Sequence, residues 1–259
     1  MTEESPTATM RLGKVQPEAG FTLQHGLVAG VLRREVKFFL RDSDVGKVRD
    51  ILKTNCSRPS ATYSGSRVTS IYFDDAGLGS YHDNLEGTGE RIKVRLRWYD
   101  DREECFFFET KRRAYSKSIK ERLEVESSMP LTSLDYRTIV NRLRDRLPES
   151  CRERLLARPD PVLITRYRRS YYVAADRRIR VTLDSELEWF DQRGRAKPHL
   201  RFGARLPRLA ILELKTERED DGSFGELLYP LRLRPTRSSK YAVGCQQLGL
   251  VSDSRGRFS

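Results

Sequence analysis

The sequence predicts an α+β fold in which eight antiparallel strands close a barrel, with helices at its periphery, and three observations carry that expectation. From Glu90 to Trp98 the residues alternate without a break, with Arg91, Lys93, Arg95 and Arg97 on one side and Ile92, Val94, Leu96 and Trp98 on the other. Successive side chains of a strand point to opposite faces, so this is an apolar sheet face backed by a row of four cations. Other segments repeat the polar alternation. Glu35 pairs with Lys37, Glu109 with Lys111 and Glu213 with Lys215 at the same two-residue spacing, while Lys120, Arg122, Glu124 and Glu126 align, as do Arg178, Arg180, Thr182 and Asp184. Between the runs, Asp74-Asp75-Ala76-Gly77 and Asp100-Asp101 supply turn chemistry, the latter closing a hairpin.

Taken in order, residues 1–29 are rich in Thr, Glu, Pro and Gly without a sustained period and read as a mobile tail. A first strand covers 33–40. Asp42 or Ser43 then caps a helix whose apolar stripe is Val45, Val48 and Leu52, ending near Asn55. Strands follow over 67–73, 90–99, 103–112 and 118–126. Leu131 to Leu147, bracketed by Pro130 and Pro148, is the longest helix candidate. Two more strands cover 162–174 and 178–186, and the last spans 209–216, so that eight strands are available to close a barrel. Gln192 to Arg208 holds six basic residues and no acid, the composition of a solvated loop or of a landing strip for an extended anion. Ser238 or Ser239 caps a final helix to about Leu248, which puts Lys240 in its first turn, and a helix N-terminus beside a lysine suits a phosphate. Residues 30–250 read as one domain, followed by a short tail over 251–259.

Composition narrows the chemistry. The 259 residues carry 49 Lys and Arg against 37 Asp and Glu, a net charge of +12, which fits nucleic acid, an anionic membrane surface or a phosphorylated molecule or polymer. Cys56, Cys105, Cys151 and Cys245 form no Cys-x-x-Cys pair, and no leader segment is visible, so the thiols read as those of a cytoplasmic protein. His25, His82 and His199 have no zinc-ligand spacing. No apolar run approaches the roughly 20 residues of a membrane span. Charged faces that merely solvate a protein intersperse both signs, whereas four aligned cations call for a bound polyanion. If the strands curl so that these faces meet, they line a tunnel in which cations hold phosphates and a few carboxylates hold a divalent metal. Trp98, Tyr99, Tyr171 and Tyr172 near cations also fit a stacking platform for nucleic acid. The acids on the same faces argue against that partner, since they repel a phosphate backbone unless a metal intervenes.

In sequence order, Arg34-Glu35-Val36-Lys37-Phe38, Thr69-Ser70-Ile71-Tyr72-Phe73-Asp74, Arg91 to Tyr99, Phe108-Glu109-Thr110-Lys111, Tyr167-Arg168-Arg169-Ser170, Arg178 to Asp184, Ile211-Leu212-Glu213-Leu214-Lys215 and Ser239-Lys240-Tyr241 resemble the catalytic domain of the vacuolar transporter chaperone (VTC) family. That family belongs to the CYTH-like triphosphate tunnel metalloenzymes. The resemblance implies an antiparallel tunnel with a C-terminal helix closing one end. It also implies an ATP-dependent polyphosphate polymerase that moves the γ-phosphoryl group onto a growing inorganic polyphosphate chain and releases ADP, with Mn²⁺ or Mg²⁺ as cofactor. By the same resemblance Lys37, Arg95, Arg97, Lys111, Lys120, Arg169 and Arg180 are phosphate ligands, Glu213 is the metal-binding acid, and Lys240 is the essential C-terminal lysine. Lys93, Arg122 and Lys215 share the same strand faces and Ser239 the same helix start, which adds them to the phosphate-binding set, and Glu109 is a second candidate metal ligand, with Glu35 and Glu124 as alternatives for assisting Glu213. Lys240, Arg95, Arg97 and Arg180 are the expected catalytic groups. Eukaryotic relatives carry an SPX sensor and a membrane region with no counterpart in this sequence. Tunnel triphosphatases show two acids before the first lysine (Glu-x-Glu-x-Lys) where this chain shows one, which favours the polymerase over a hydrolase of tripolyphosphate or nucleoside triphosphates. The oligomeric state is not encoded in these patterns.

Overall fold

Every strand pairing in the computed structural model of the protein is antiparallel. The structure describes residues 21–26, 34–57, 65–114, 117–174, 179–206, 209–216, 233–236 and 239–251. The strands are β1 (Phe21–Gly26), β2 (Arg34–Arg41), β3 (Cys56–Ser57), β4 (Ser66–Asp74), β5 (Glu90–Tyr99), β6 (Cys105–Ala114), β7 (Lys117–Ser127), β8 (Asp160–Ala174), β9 (Ile179–Asp191), β10 (Ala204–Leu206) and β11 (Leu209–Thr216). The helices are α1 (Asp42–Asn55), α2 (Gly79–Glu86), α3 (Tyr136–Arg144), α4 (Glu149–Ala157) and α5 (Lys240–Gln247). No helix among the described residues is long and apolar enough to cross a membrane.

The strands form one 11-stranded sheet in the order β1-β7-β6-β5-β4-β8-β9-β11-β2, with β10 on β9 and β3 on β8. The eight expected strands are all present. The additional three are short, and β1 lies inside the stretch read as a tail, where Phe21 is buried edge-on against Phe106 with ring centroids 5.3 Å apart. Two or three residues cannot display a period of two, which is why β3 and β10 leave no signal in the sequence. Residues 1–20, 252–259 and the candidate cap Ser238 lie outside the described residues.

The expected closed barrel is corrected to an open sheet. β1 and β2 are the two ends of the strand order, and no pairing joins them among the described residues. The sheet is nevertheless strongly curled. Glu35 on β2 and Lys111 on β6 stand six places apart in the strand order, which in a flat sheet is about 29 Å, yet their charged atoms lie 3.9 Å apart. The sheet therefore forms a trough whose polar face is concave.

Two apolar layers cover the convex side. Ile71, Phe73, Val94, Leu96, Phe106, Phe108, Leu123 and Val125 pack against Ile139 and Leu143 of α3 and Cys151 and Leu155 of α4. On the other half, Phe38, Leu40, Val181, Leu183, Leu212 and Leu214 pack against Val48 and Leu52 of α1. The single helix expected over 131–147 is instead a 3-10 turn at Leu131–Ser133 followed by α3. Asp135 interrupts it, because its carboxylate caps the new helix by accepting from Thr138 N. A third cluster fills one end of the trough, where Tyr241, Ala242, Val243 and Cys245 of α5 pack against Tyr72, Tyr167, Trp189 and Ile211.

Candidate active site

Strand alternation aims the charged residues into the trough. On β5, Val94, Leu96 and Trp98 sink into the convex core, which obliges Lys93, Arg95 and Arg97 to face the concave side. The same parity on β2, β6, β7, β8 and β11 delivers Glu35 and Lys37, Glu109 and Lys111, Lys120 and Arg122, Arg169, and Glu213 and Lys215. Three carboxylate nodes organise these cations.

Glu109 is the first node, 3 % exposed. Its Oε2 accepts from Arg95 Nε at 2.6 Å and lies 3.7 Å from Arg97 Nη1, while its Oε1 lies 3.1 Å from Lys120 Nζ and 3.6 Å from Arg122 Nε. Burial alone would raise the carboxyl, but Arg95, Arg97 and Lys120 hold it well below its ordinary range. Arg95 also donates to the Tyr72 hydroxyl at 3.1 Å, and Arg97 to Ser70 Oγ at 3.1 Å. Burial works to raise the Tyr72 phenol, yet Arg95, Arg97 and Lys240 keep it below its usual value.

Asp184 is the second node and is fully buried. Arg169 grips it with two bonds, Nε to Oδ1 at 2.7 Å and Nη2 to Oδ2 at 2.8 Å, and Lys240 Nζ reaches Oδ2 at 2.5 Å. Lys240 also stands 4.7 Å from the centroid of the Tyr167 ring. Burial opposes ionisation of Asp184, but Arg169 and Lys240 outweigh it and depress the carboxyl. The helix that carries Lys240 is pinned from both sides, since Trp189 Nε1 donates to the Lys240 carbonyl at 2.8 Å and the Tyr241 hydroxyl donates to buried Asp74 at 2.6 Å.

Glu213 and Glu35 form the third node. Glu213 meets Lys215 at 3.1 Å, Lys37 at 3.7 Å and Arg169 at 3.8 Å. Glu35 pairs with Lys37 and lies 3.9 Å from Lys111 and 4.0 Å from Lys215. Against the cost of burial, Lys215, Lys37 and a hydrogen bond shared with Glu35 hold Glu213 well below its ordinary range. Lys93 completes this rim by donating to Asn84 Oδ1 of α2 at 3.1 Å. Burial first, then Lys37, Lys111, Arg95 and Arg91, bring its ammonium down to about 7.

Lys37, Lys93, Arg95, Arg97, Lys111, Lys120, Arg122, Arg169, Lys215 and Lys240 thus share the trough with Glu35, Glu109, Asp184 and Glu213, and Glu124 of β7 lies on the same strand face as Lys120 and Arg122. Among the described residues the cations outnumber the carboxylates, which leaves the surface short of negative charge. The arginines and Lys240 lie deep, with Arg97, Arg169 and Lys240 showing side-chain exposures of 7, 12 and 11 %, whereas Lys111 on the rim shows 49 %. Of the buried polar side-chain atoms without a hydrogen-bond partner among the described residues, Arg122 Nε stands 3.6 Å from Glu109 in the trough and Thr182 Oγ1 is another. Thr182 stands in register beside Glu213.

Most of the sequence-derived residues therefore converge. Arg180 sits on β9 in register with Lys215, more exposed than the deep arginines. Ser239 caps α5, its hydroxyl accepting from Ala242 N at 3.1 Å. Glu109 and Glu213 both have each oxygen beside cations, and Glu213 differs in standing beside a second carboxylate, Glu35. Sequence reasoning missed Asp184, Tyr72, Ser70 and Asn84 as members of the site. The alternation rule places Asp184 on the charged face of its strand, but only the fold brings it to Lys240. No group of three or more His, Cys, Asp or Glu side chains able to hold a metal occurs among the described residues.

Among solved structures, the PH1819 protein from Pyrococcus horikoshii OT3 is similar at 14 % identity over 82 % of this chain and 99 % of that one, with a TM-score of 0.45. A candidate adenylate cyclase from Vibrio parahaemolyticus matches at 13 % identity over 83 % of this chain and 98 % of its own, with a TM-score of 0.42. The inorganic triphosphatase NE1496 matches at 12 % identity over 83 % and 96 % of the two chains, with a TM-score of 0.29. Likenesses this loose carry no argument about function. None of the curated proteins matches the sequence. The family model of the VTC domain, by contrast, matches residues 32–249, a span that contains all three carboxylate nodes and every cation around them, and the chain belongs to the VTC domain family.

Proposed function

We propose that the trough binds the triphosphate of ATP and a growing inorganic polyphosphate chain, and that the protein is a metal-dependent polyphosphate polymerase. The observation that supports this reading is the surplus of cations over carboxylates on one concave face, in a chain of the VTC domain family. Phosphoryl transfer is catalysed chiefly by positioning and by neutralising phosphate oxygens. Arginine forks suit bidentate grip and lysines act as point charges. Arg95, Arg97 and Arg169 would hold the phosphates deep in the trough, Arg122 Nε, which makes no hydrogen bond, offers one more donor, and Arg180, Lys37, Lys93, Lys111, Lys120 and Lys215 would track the chain toward the rim. An oxygen of the terminal phosphate of the chain attacks the γ-phosphorus. The bond from the γ-phosphorus to the oxygen bridging to the β-phosphate breaks, and ADP leaves with that electron pair. Lys240, held by Asp184, would neutralise charge on the transferring group.

A divalent ion fits the third node. Glu213 and Glu35 are close enough to share a hydrogen bond, and Thr182 Oγ1 beside Glu213 is buried without a partner. Mg²⁺ is commonly held by one or two carboxylates together with substrate phosphates, so two acids suffice. Held by Glu213 and Glu35, such an ion would supply positive charge to offset that of the phosphates. In this reading Glu213 and Glu35 are the metal acids, and Glu109 is the hub that fixes Arg95, Arg97, Lys120 and Arg122.

Incubation of the purified protein with ATP and Mn²⁺, followed by gel electrophoresis, should show long-chain polyphosphate, and Lys240→Ala should abolish it. Near-normal synthesis by Lys240→Ala would remove that residue from the mechanism. Phosphate release without polymer would make the protein a triphosphatase, with water replacing the chain end as acceptor.

A further inference from the structure

The two deep arginines of β5 are each matched by a hydroxyl of β4. Ser70 is in register with Arg97 and Tyr72 with Arg95, and each hydroxyl accepts from its arginine at 3.1 Å. The two differ in reach. Ser70 is fully buried on the floor of the trough, whereas a phenol carries its oxygen well beyond a serine hydroxyl, so Tyr72 brings its O–H up to the Arg95 guanidinium group. Its ring is fixed as well. One face stacks on Tyr241 of α5, with centroids 5.3 Å apart and planes at 26°, and Tyr241 directly follows Lys240. Tyr72 therefore joins Arg95, which Glu109 anchors at 2.6 Å, to the first turn of the helix that carries Lys240.

A guanidinium group only donates, so the contact with Arg95 occupies an acceptor position of the phenol and leaves its proton unused. Tyr72 is 6 % exposed, and no acceptor for that proton occurs among the described residues. A buried donor left without a partner costs free energy. Packing on Tyr241 requires the ring of Tyr72 but not its hydroxyl, so the hydroxyl calls for another reason. Burial works to raise the phenol, yet Arg95, Arg97 and Lys240 more than offset it, which makes this O–H a stronger donor than that of an ordinary tyrosine.

We propose that Tyr72 is a further phosphate ligand of the trough, its phenol donating a hydrogen bond to a phosphate oxygen of the triphosphate that Arg95 grips. This deepens the polymerase reading and rests on it. The phosphate oxygen supplies the acceptor that the protein itself does not, and it lies where the cations already favour an anion. A neutral donor adds what the lysines lack. A lysine acts as a point charge that attracts a phosphate from any side, whereas an O–H fixed by stacking and by Arg95 accepts one direction of approach, so Tyr72 would orient the group whose charge the cations offset.

Titration calorimetry of the full chain with inorganic tripolyphosphate, in slightly acidic buffer where the phenol keeps its proton, tests this. Tyr72→Phe keeps the ring on Tyr241, so the unliganded protein should melt close to wild type while binding tripolyphosphate about tenfold more weakly. Loss of the acceptor for Arg95 would weaken binding too, and 3-fluorotyrosine incorporated at position 72 separates the two causes. Fluorine makes a phenol a better donor and a poorer acceptor, so the fluorinated protein should bind tripolyphosphate more tightly than wild type. Fluorinated protein that binds no more tightly, or Tyr72→Phe protein that binds as wild type does, would overturn the role of Tyr72 while leaving the phosphate site intact. Wild-type protein that binds no tripolyphosphate would overturn the proposed function together with it.

Discussion

At residue scale, Lys93 illustrates how the trough stores unfavourable charge. Its ammonium is lowered from 10.5 to about 7, which at about 1.4 kcal/mol per unit amounts to roughly 5 kcal/mol against the protonated form. One phosphate charge at about 4 Å contributes roughly 4 kcal/mol at an effective dielectric of 20. One or two such charges are therefore enough to restore the proton. A cation whose folded value is depressed binds fewer protons in the native than in the unfolded state between the two values, so the unliganded protein gains stability from Lys93 as pH rises from about 7 toward 10.5. Ligand binding runs the other way. Affinity for tripolyphosphate should fall as pH rises through about 7, and Lys93→Gln should flatten that dependence. Subtracting the two binding profiles removes the titration of the ligand itself, and parallel profiles would exclude Lys93 from the phosphate path. The cation row of β5 is legible in the sequence, whereas the lowered value is not, because it requires burial of Lys93 and then the approach of Lys37 of β2 and Lys111 of β6.

At the scale of elements, α5 couples packing to chemistry. Its first residue is Lys240, and its body is seated so tightly that Gly244 has no room for a side chain. A methyl there would overlap Trp189, reaching 2.8 Å from Nε1 and 3.0 Å from Leu163 Cδ2. Trp189 is fully buried and holds the Lys240 carbonyl, so it cannot yield. Gly244→Ala should displace the helix, separate Lys240 from Asp184, and cost about 1–3 kcal/mol as overpacking does, with polyphosphate synthesis reduced far more than a surface Ala substitution would reduce it. Urea unfolding and the gel assay measure the two effects. The capping serine and the helical stretch are readable in the sequence. The segment read as one long helix over 131–147 was not, because Asp135 is both a legitimate helix residue and a better cap, and only the packing of Tyr136 against Phe73 selects the second.

At the scale of the molecule, the charges of the trough repel one another when no anion is bound, and an anion that spans several strands relieves the repulsion. Tripolyphosphate should therefore raise the melting temperature. At a hundredfold excess over its dissociation constant the stabilisation is about 2.7 kcal/mol, and it should shrink as salt rises because the rim lysines are screened. Equal ionic strength supplied as sodium chloride should not reproduce it. A melting temperature indifferent to tripolyphosphate would contradict a bound polyanion.

The sequence by itself determined eight of the strands, which face of each is apolar and which cations and acids share the other, since a period of two and the need to bury Val94, Leu96 and Trp98 leave no choice. The tertiary structure alone decided that the sheet stays open between β1 and β2, that it curls until Glu35 meets Lys111, and that Asp184 is the carboxylate facing Lys240. Those outcomes depend on sheet twist and on contacts between residues far apart in the chain, which no local pattern records.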